Sequence, residues 1–523
     1  MKKNFLLVAL LAGSLGVNSF AATKIYVKAG SGNDSYNGSS WNTAFKTVSK
    51  AIGSVQDNEE TIIYLEPNTV FDTGGQLDLG ENKNVTIIGN NTTLRAAERP
   101  GKDGGEGARI LRAVAGCDLT VKGITFLNGR QVAYAPGGGL FFAGNTLVVD
   151  SCIFIDNESD AGGAAIASRG KDVTVRNSYF DGNYIFKGSG YATGAAILQA
   201  GVKDVDGSSL RVENCTFYSN DVNNGVGSAI STEDAAASYS NVGEITIVNC
   251  TFLANTSSYL NQGAIDIDQS SKTALVKIIN NTFYGNDGAL RIGDIYKDYG
   301  GELYFINNLV YANGSGIFGA DDLTVAEMRD PIIGYNNIIV GGERGVNEAI
   351  DDECFNGKKD QYNNRVETLA TYPLSMVALA TSLSTDNYVP YLPLTAENSD
   401  AVNAGYSDGA YADMIPATDI RGLKAVGTRD IGAYEYGATE QSAIASVVAD
   451  ESDFVIARNG DQITVVNTAD RHFTLTVVDM LGRTVYSAEG TDMLTVNKQD
   501  IAARCAIFVL TDGVSKKAEK VML

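Results

Sequence analysis

Apolar and polar residues alternate in short bursts through the middle of the chain, and the bursts repeat. Val149-Asp150-Ser151-Cys152-Ile153-Phe154-Ile155-Asp156-Asn157 returns as Val175-Arg176-Asn177-Ser178-Tyr179-Phe180-Asp181-Gly182-Asn183. Further copies run over 212–220, 247–255 and 278–286, a worn copy ends at Asn313, and an earlier one, 121–126, lacks the asparagines. The spacing is irregular, roughly 26 to 37 residues, which suits β-coils carrying loops of variable length. Alternation over so few residues predicts half-buried strands. A second register lies between the first: Gly162-Gly163-Ala164-Ala165-Ile166, Gly194-Ala195-Ala196-Ile197, Gly227-Ser228-Ala229-Ile230, Gly263-Ala264-Ile265 and Gly288-Ala289-Leu290. Glycine permits a sharp backbone entry, and small-plus-branched pairs fill a narrow lumen. Two strand registers and a connecting stretch per turn predict an all-β fold, a right-handed parallel β-helix.

Polar residues inside the repeat have a structural reading. Asn177, Asn214, Asn249, Asn280 and Asn307 fall at one position; Asn157, Asn183, Asn220, Asn255 and Asn286 fall at another. Stacked strands lie about 4.8 Å apart, so an amide at the same corner of each coil can bond to the next. Two asparagine ladders are expected. Cys152, Cys215 and Cys250 share a position two before the Phe, which predicts stacked buried thiols; Cys215 and Cys250 also lie within disulfide reach if their coils are adjacent.

The pattern changes at both ends. Lys2 and Lys3, the apolar run 5–11 and Ser19-Phe20-Ala21 read as a signal peptide over residues 1–21. Residues 24–60 predict an N-terminal cap: the strand Lys24-Ile25-Tyr26-Val27, a polar loop, then a helix with Ala44, Phe45, Val48, Ala51 and Ile52 on one face. The β-helix is expected over 22–437, with its closing segment at 385–437. A small-residue linker follows at 438–446, and short alternating strands over 447–523 predict a small β-sandwich.

Composition narrows the partners. With 40 basic and 62 acidic side chains the formal net charge is −22, which disfavours nucleic acid and anionic membrane, both of which need a basic footprint. No stretch beyond the leader is long and apolar enough to span a bilayer.

Several segments resemble known families. Tyr26-Val27, Gly32-Asn33-Asp34, Gly38 and Ser40-Trp41 resemble the opening of bacterial pectin-lyase-like β-helix proteins. Asn387-Tyr388 to Leu394, the run 401–405, Asp419-Ile420-Arg421-Gly422 and the run 429–435 resemble the closing segment of the choice-of-anchor Q family, where Arg421, Asp430 and Glu435 are expected to seal the last coil. The run 478–486, with Lys520-Val521-Met522-Leu523, resembles the C-terminal sorting domain of type IX secretion in Bacteroidetes, although Ala506-Ile507-Phe508 departs from the usual Gly-Ile-Tyr. This implies passage through the type IX machinery to the outer-membrane surface or beyond, often with cleavage of the domain.

Chemistry is less focused. Ile265-Asp266-Ile267-Asp268 puts two carboxylates on one side of a strand. The next coil offers Arg291, with Asp294 and Lys297 beyond it, and Glu233 lies one coil earlier. Stacking is expected to bring Arg291 beside Asp266. In the pectate-lyase-like group an Arg or Lys abstracts the proton beside a uronate carboxylate, with help from carboxylate-bound calcium. By that resemblance Arg291 or Lys297 would be the base, Asp266 and Asp268 the calcium ligands, and Asp294 and Glu233 further substrate contacts. The plainer reading is a solvated ion pair, worth under about 1 kcal/mol. His472, the one histidine, lies in the terminal domain, so the polygalacturonase-like use of a histidine finds no counterpart in the β-helix. The sequence therefore leans toward a protein that binds extracellular polysaccharide or surface glycan. A calcium-assisted lyase or a glycoside hydrolase is the alternative, and a purely structural surface component the third.

Overall fold

The computed structural model describes residues 22–96, 107–132, 135–186, 192–202, 207–232, 242–258, 263–267, 274–292, 301–314, 317–319, 324–341 and 348–439. In the C-terminal region it describes 454–459, 462–467, 472–479, 484–491, 493–501, 505–512 and 516–522. The chain divides into two bodies, one comprising Met1–Pro416 with Thr428–Tyr434, the other Ala417–Gly427 with Glu435–Leu523.

In the first body, 21 of the described strands form one long parallel sheet, nine a second and five a third. Each coil contributes two strands to the long sheet. Thr146–Asp150 and Ile153–Ile155 are followed one coil later by Asp172–Arg176 and Tyr179–Asp181. Like residues stack in register, Val149 on Val175 and Phe154 on Phe180. The phenylalanines of the repeat, from Phe126 to Phe283, form a buried pile with ring centroids 4.7–5.1 Å apart.

The two strands of a coil are separated by one left-handed residue. It is Asn177 (φ 51°), Asn214 (51°), Asn249 (53°), Asn280 (55°), Asn307 (57°) and Asn336 (51°) in successive coils. Asparagine is among the few L-residues that visit this region readily, so the first expected ladder is a backbone device as much as an amide stack. Its amide bonds are the longer ones: 3.3 Å from Asn214 to Asn177 and 3.1 Å from Asn249 to Asn214. The second ladder is buried and continuous, each Nδ2 donating to the next Oδ1 at 2.7–3.0 Å from Asn157 through Asn183, Asn220, Asn255 and Asn286 to Asn313.

A third ladder escaped the sequence reading. Asn281, Asn308, Asn337 and Asn364 bond in the same way at 2.7–3.2 Å. They occupy the corner held by Cys152, Ser178, Cys215 and Cys250 in earlier coils, and Cys250 N donates to Asn281 Oδ1 at 2.9 Å. The Asn-Asn pairs at 280–281, 307–308, 336–337 and 363–364 were its signal. The three cysteines are free buried thiols, as the stacking reading expects.

The second sheet carries the Gly-Ala-Ile register, entered through Gly163 (φ 55°) and Gly194 (φ 62°). At Gly194 a Cβ would sit 2.2 Å from the Ile197 carbonyl oxygen, so only glycine fits.

The ends differ from expectation in two places. The N-terminal helix spans only Val48–Ile52, because Thr47 caps it by accepting from Lys50 N. Ala44 and Phe45 are buried but extended ahead of it, with Phe45 bridging Val27. At the far end the lumen is closed by an unforeseen helix, Glu348–Asn356, whose Cys354 and Phe355 join the main core. The chain from Tyr372 onward, including the closing segment, instead lies lengthwise along the coils. Tyr372 O accepts from Tyr311 OH, Tyr388 OH donates to Ser151 O, Pro390 O accepts from Thr216, and Ala404 O accepts from Asn336. Asp430 therefore does not seal the last coil: its carboxylate accepts from Asn403 N at 2.7 Å, and its carbonyl accepts from Asn280 Nδ2. Arg421 and Glu435, in the second body, form a knot around the buried Asp419, whose oxygens accept from Arg421 and from the Leu423 and Glu435 amides.

The described strands of the second body form one seven-stranded antiparallel sheet. Strands Phe454–Asn459, Gln462–Asn467 and Met493–Asn497 form one antiparallel ladder. Thr484–Thr491, His472–Asp479, Cys505–Thr511 and Lys516–Met522 form another. Among the described residues the two ladders meet through the pair Thr491–Met493, and they share a core that includes Phe454, Val465, Phe473, Leu475 and Phe508.

Candidate functional site

In strands Ile265–Ile267 and Leu290–Ile292 of the second sheet the first and third residues belong to the main core and the middle one points away from it. Strand Ile265–Ile267 turns Asp266 out, and Leu290–Ile292 turns Arg291 out on the next coil. Pairing in register places Asp266 against Ser231 on one side and Arg291 on the other. The expected meeting of Asp266 and Arg291 occurs: Nη1 lies 2.6 Å from Oδ1, while Oδ2 accepts from Ser231 Oγ at 2.8 Å. The pair is not solvated, however. The Asp266 side chain is 0% exposed and that of Arg291 14%, because outward on this sheet is not the same as open to solvent. Asp268, Asp294, Lys297 and Glu233 lie outside the described residues, so the postulated calcium pair has one described member. Among the described residues no group of three or more His, Cys, Asp or Glu could hold a metal ion.

A second concentration of polar side chains stands at the C-terminal end of the same body. The last coil brings Asn363, Asn364 and strand Arg365–Thr368 to the edge of the long sheet. The helix Glu348–Asn356 contributes Asp352 and Asn356, and the lengthwise segment contributes Asp400, Ala404 and Ile431; together they line a cleft of about 440 Å³. Arg365 Nη1 lies 2.5 Å from Asp400 Oδ2, which also accepts from Tyr372 OH at 2.7 Å. The guanidinium stacks on the Tyr372 ring, 5.1 Å from its centroid. Burial pulls the Arg365 pKa down, but Tyr372 and Asp400 outweigh it and leave the pKa above the ordinary value. Burial, then the bond to Asp400, pushes the Tyr372 hydroxyl up. Glu367 accepts from Thr371 Oγ1 at 3.0 Å, and Asp352 from Asn356 Nδ2 at 2.8 Å. Three carboxylates and one guanidinium thus share a cleft edged with amides. The sequence reading did not find it, since Asp352, Arg365 and Asp400 meet only through the end helix and the returning segment.

Beside the cleft lies a cluster of tyrosines. Tyr335 packs on Tyr406 at 5.1 Å, on Tyr411 at 5.5 Å and on Tyr362 at 6.5 Å. Tyr362 is 69% exposed.

Residues 110–341 match the profile of a family described as a right-handed β-helix region. Together with the parallel sheets, the match supports a pectin-lyase-like β-helix. A search of curated proteins finds no match. Such a fold is compatible with carbohydrate-binding and with pectate-lyase-like proteins. Among the described residues no helix is long and apolar enough to cross a membrane.

Proposed function

We propose that this is an exported, surface-displayed protein that binds a neutral extracellular polysaccharide. The cleft around Arg365 carries the reading. Its volume falls within the range of small-ligand sites, about 300–1,000 Å³. Carboxylates and amide oxygens accept from sugar hydroxyls, while Arg365 and the amide nitrogens donate to hydroxyl and ring oxygens. Three carboxylates against one guanidinium, in a chain of net charge −22, disfavour a uronate polymer. Export rests on the leader-like residues 1–21, and outer-membrane passage on the resemblance of residues 478–486 and 520–523 to a type IX sorting domain.

A second reading, calcium-assisted elimination on a uronate polymer around Arg291, draws support from the Asp266–Arg291 pair. Both Asp266 oxygens are already engaged by protein groups, which weakens that reading.

One experiment separates the two. The full chain is screened against neutral and uronic-acid polysaccharides with and without calcium, reading retention, reducing ends and unsaturated-product absorbance. Retention on a neutral polymer without product, abolished by Arg365→Ala, is the expected result. Calcium-dependent unsaturated product that survives Arg365→Ala would overturn the proposal in favour of the lyase.

A further inference from the structure

We infer that the tyrosine cluster beside the cleft is a stacking platform for further sugar residues of the same chain, and that it selects gluco- or xylo-configured pyranosides; this rests on the cleft being a glycan site. Three links make platform and cleft continuous. Tyr362 immediately precedes Asn363, Tyr335 lies two residues before Asn337, and Tyr406 two residues after Ala404; each of those partners lines the cleft. Asn336 Nδ2 bonds Ala404 O at 2.7 Å, tying the last coils to the returning segment between the two features. Consecutive α-carbons lie about 3.8 Å apart, so Tyr362 stands next to the cleft-lining Asn363.

The cluster has the chemistry of a sugar platform. Tyr335, Tyr406 and Tyr411 brace one another and are half-buried, with Tyr304 behind them 5.4 Å from Tyr411. The fold leaves Tyr362 as the outermost ring. A tyrosine offers a large apolar face and a polar tip, at small entropic cost because two torsions define it. Pyranose rings whose hydroxyls are all equatorial present C–H groups on both faces and match such a surface. An axial hydroxyl on the stacked face would lose its hydration without gaining a partner. The ring is uncharged, so the platform supplies no counter-ion for a uronate.

The test uses the full chain and calorimetric titration with cellobiose, cellohexaose, xylobiose and xylohexaose, and with galacto-configured oligosaccharides of matching length. The hexasaccharides of the gluco or xylo series should bind roughly tenfold more tightly than their disaccharides, the gain from covering one aromatic face. Tyr362→Ala should remove that gain and leave disaccharide affinity unchanged, while Tyr362→Phe should keep it. Tyr362 is exposed, so neither variant threatens the fold. Equal affinity for short and long chains, or a gain untouched by Tyr362→Ala, overturns the platform while leaving the cleft intact, provided Arg365→Ala still abolishes binding. Preference for the galacto series overturns the selectivity. Absence of binding by any oligosaccharide overturns the cleft reading and the platform with it.

Discussion

Replacing Asn220 by alanine probes the interior that holds the coils in register. Asn220 is 0% exposed and makes four side-chain hydrogen bonds. Its Oδ1 accepts from Asn183 N at 3.2 Å and Asn183 Nδ2 at 2.9 Å; its Nδ2 donates to Phe180 O at 3.2 Å and Asn255 Oδ1 at 2.9 Å. Asn255 Oδ1 keeps another donor, Asn220 N at 3.1 Å. The truncation therefore strands chiefly the Asn183 N–H, one Asn183 amide hydrogen and the bond to the Phe180 carbonyl. Each unsatisfied buried group costs about 1–3 kcal/mol, so with partial relaxation the loss is about 3–6 kcal/mol, a large part of a typical domain's stability. Asn220→Asp keeps the shape but turns an oxygen toward two acceptors. That carboxyl should titrate higher when folded than unfolded, so the stability it retains is fully present below about pH 4 and lost as pH rises through the folded pKa. Solenoids can open coil by coil, so urea unfolding by circular dichroism should be paired with hydrogen exchange. The amides of Asn157 and Asn183 should exchange faster, while those of strand Gln462–Asn467 stay unchanged. A loss under about 1 kcal/mol, with unaltered exchange at Asn183, would refute the reasoning.

Two further outcomes follow from buried groups. Asp266→Ala removes the buried carboxylate that Arg291 meets and should cost about 3–5 kcal/mol, read as a fall in the urea midpoint; a cost near zero would mean that the pair behaves as a surface bridge. Burial pushes the Cys152 thiol up to about 12 from its ordinary 9.0. Its contribution is thus complete below pH 9 and declines as pH rises toward 12, by about 2 kcal/mol at pH 10.5. Buried Arg109, drawn down to about 10, acts in the opposite sense. The comparison of parent with Cys152→Ala therefore isolates the thiol: the variant should lose less stability between pH 9 and 10.5, and equal slopes would refute the assignment.

Much of the coil was legible because a solenoid writes its geometry into a local period. Phe154, Phe180 and Phe217 mark one lumen position, Asn157, Asn183 and Asn220 one corner, and the paired strands confirm both. The Asp266–Arg291 contact was legible for the same reason, since register alone brings them together. Its burial was not, because exposure depends on what packs outside the sheet. The left-handed φ at Asn177 and its equivalents was hidden behind the ladder reading, although asparagine at a fixed corner is the mark of that conformation.

By itself the sequence determined the repeat, the alternation of inward and outward positions along the strands, two of the three amide ladders and the β character of the C-terminal region. All of these follow from the pattern of one coil or one short strand and its repetition in the next. The tertiary structure alone decided how the lumen closes and where the polar cleft forms. Phe355 plugs the end from a short helix with no repeat behind it. Asp400 reaches Arg365 because the segment after residue 370 returns along the coils it has just left. Contacts between distant segments obey no period, so burial and hydrogen bonding across the folded body select them.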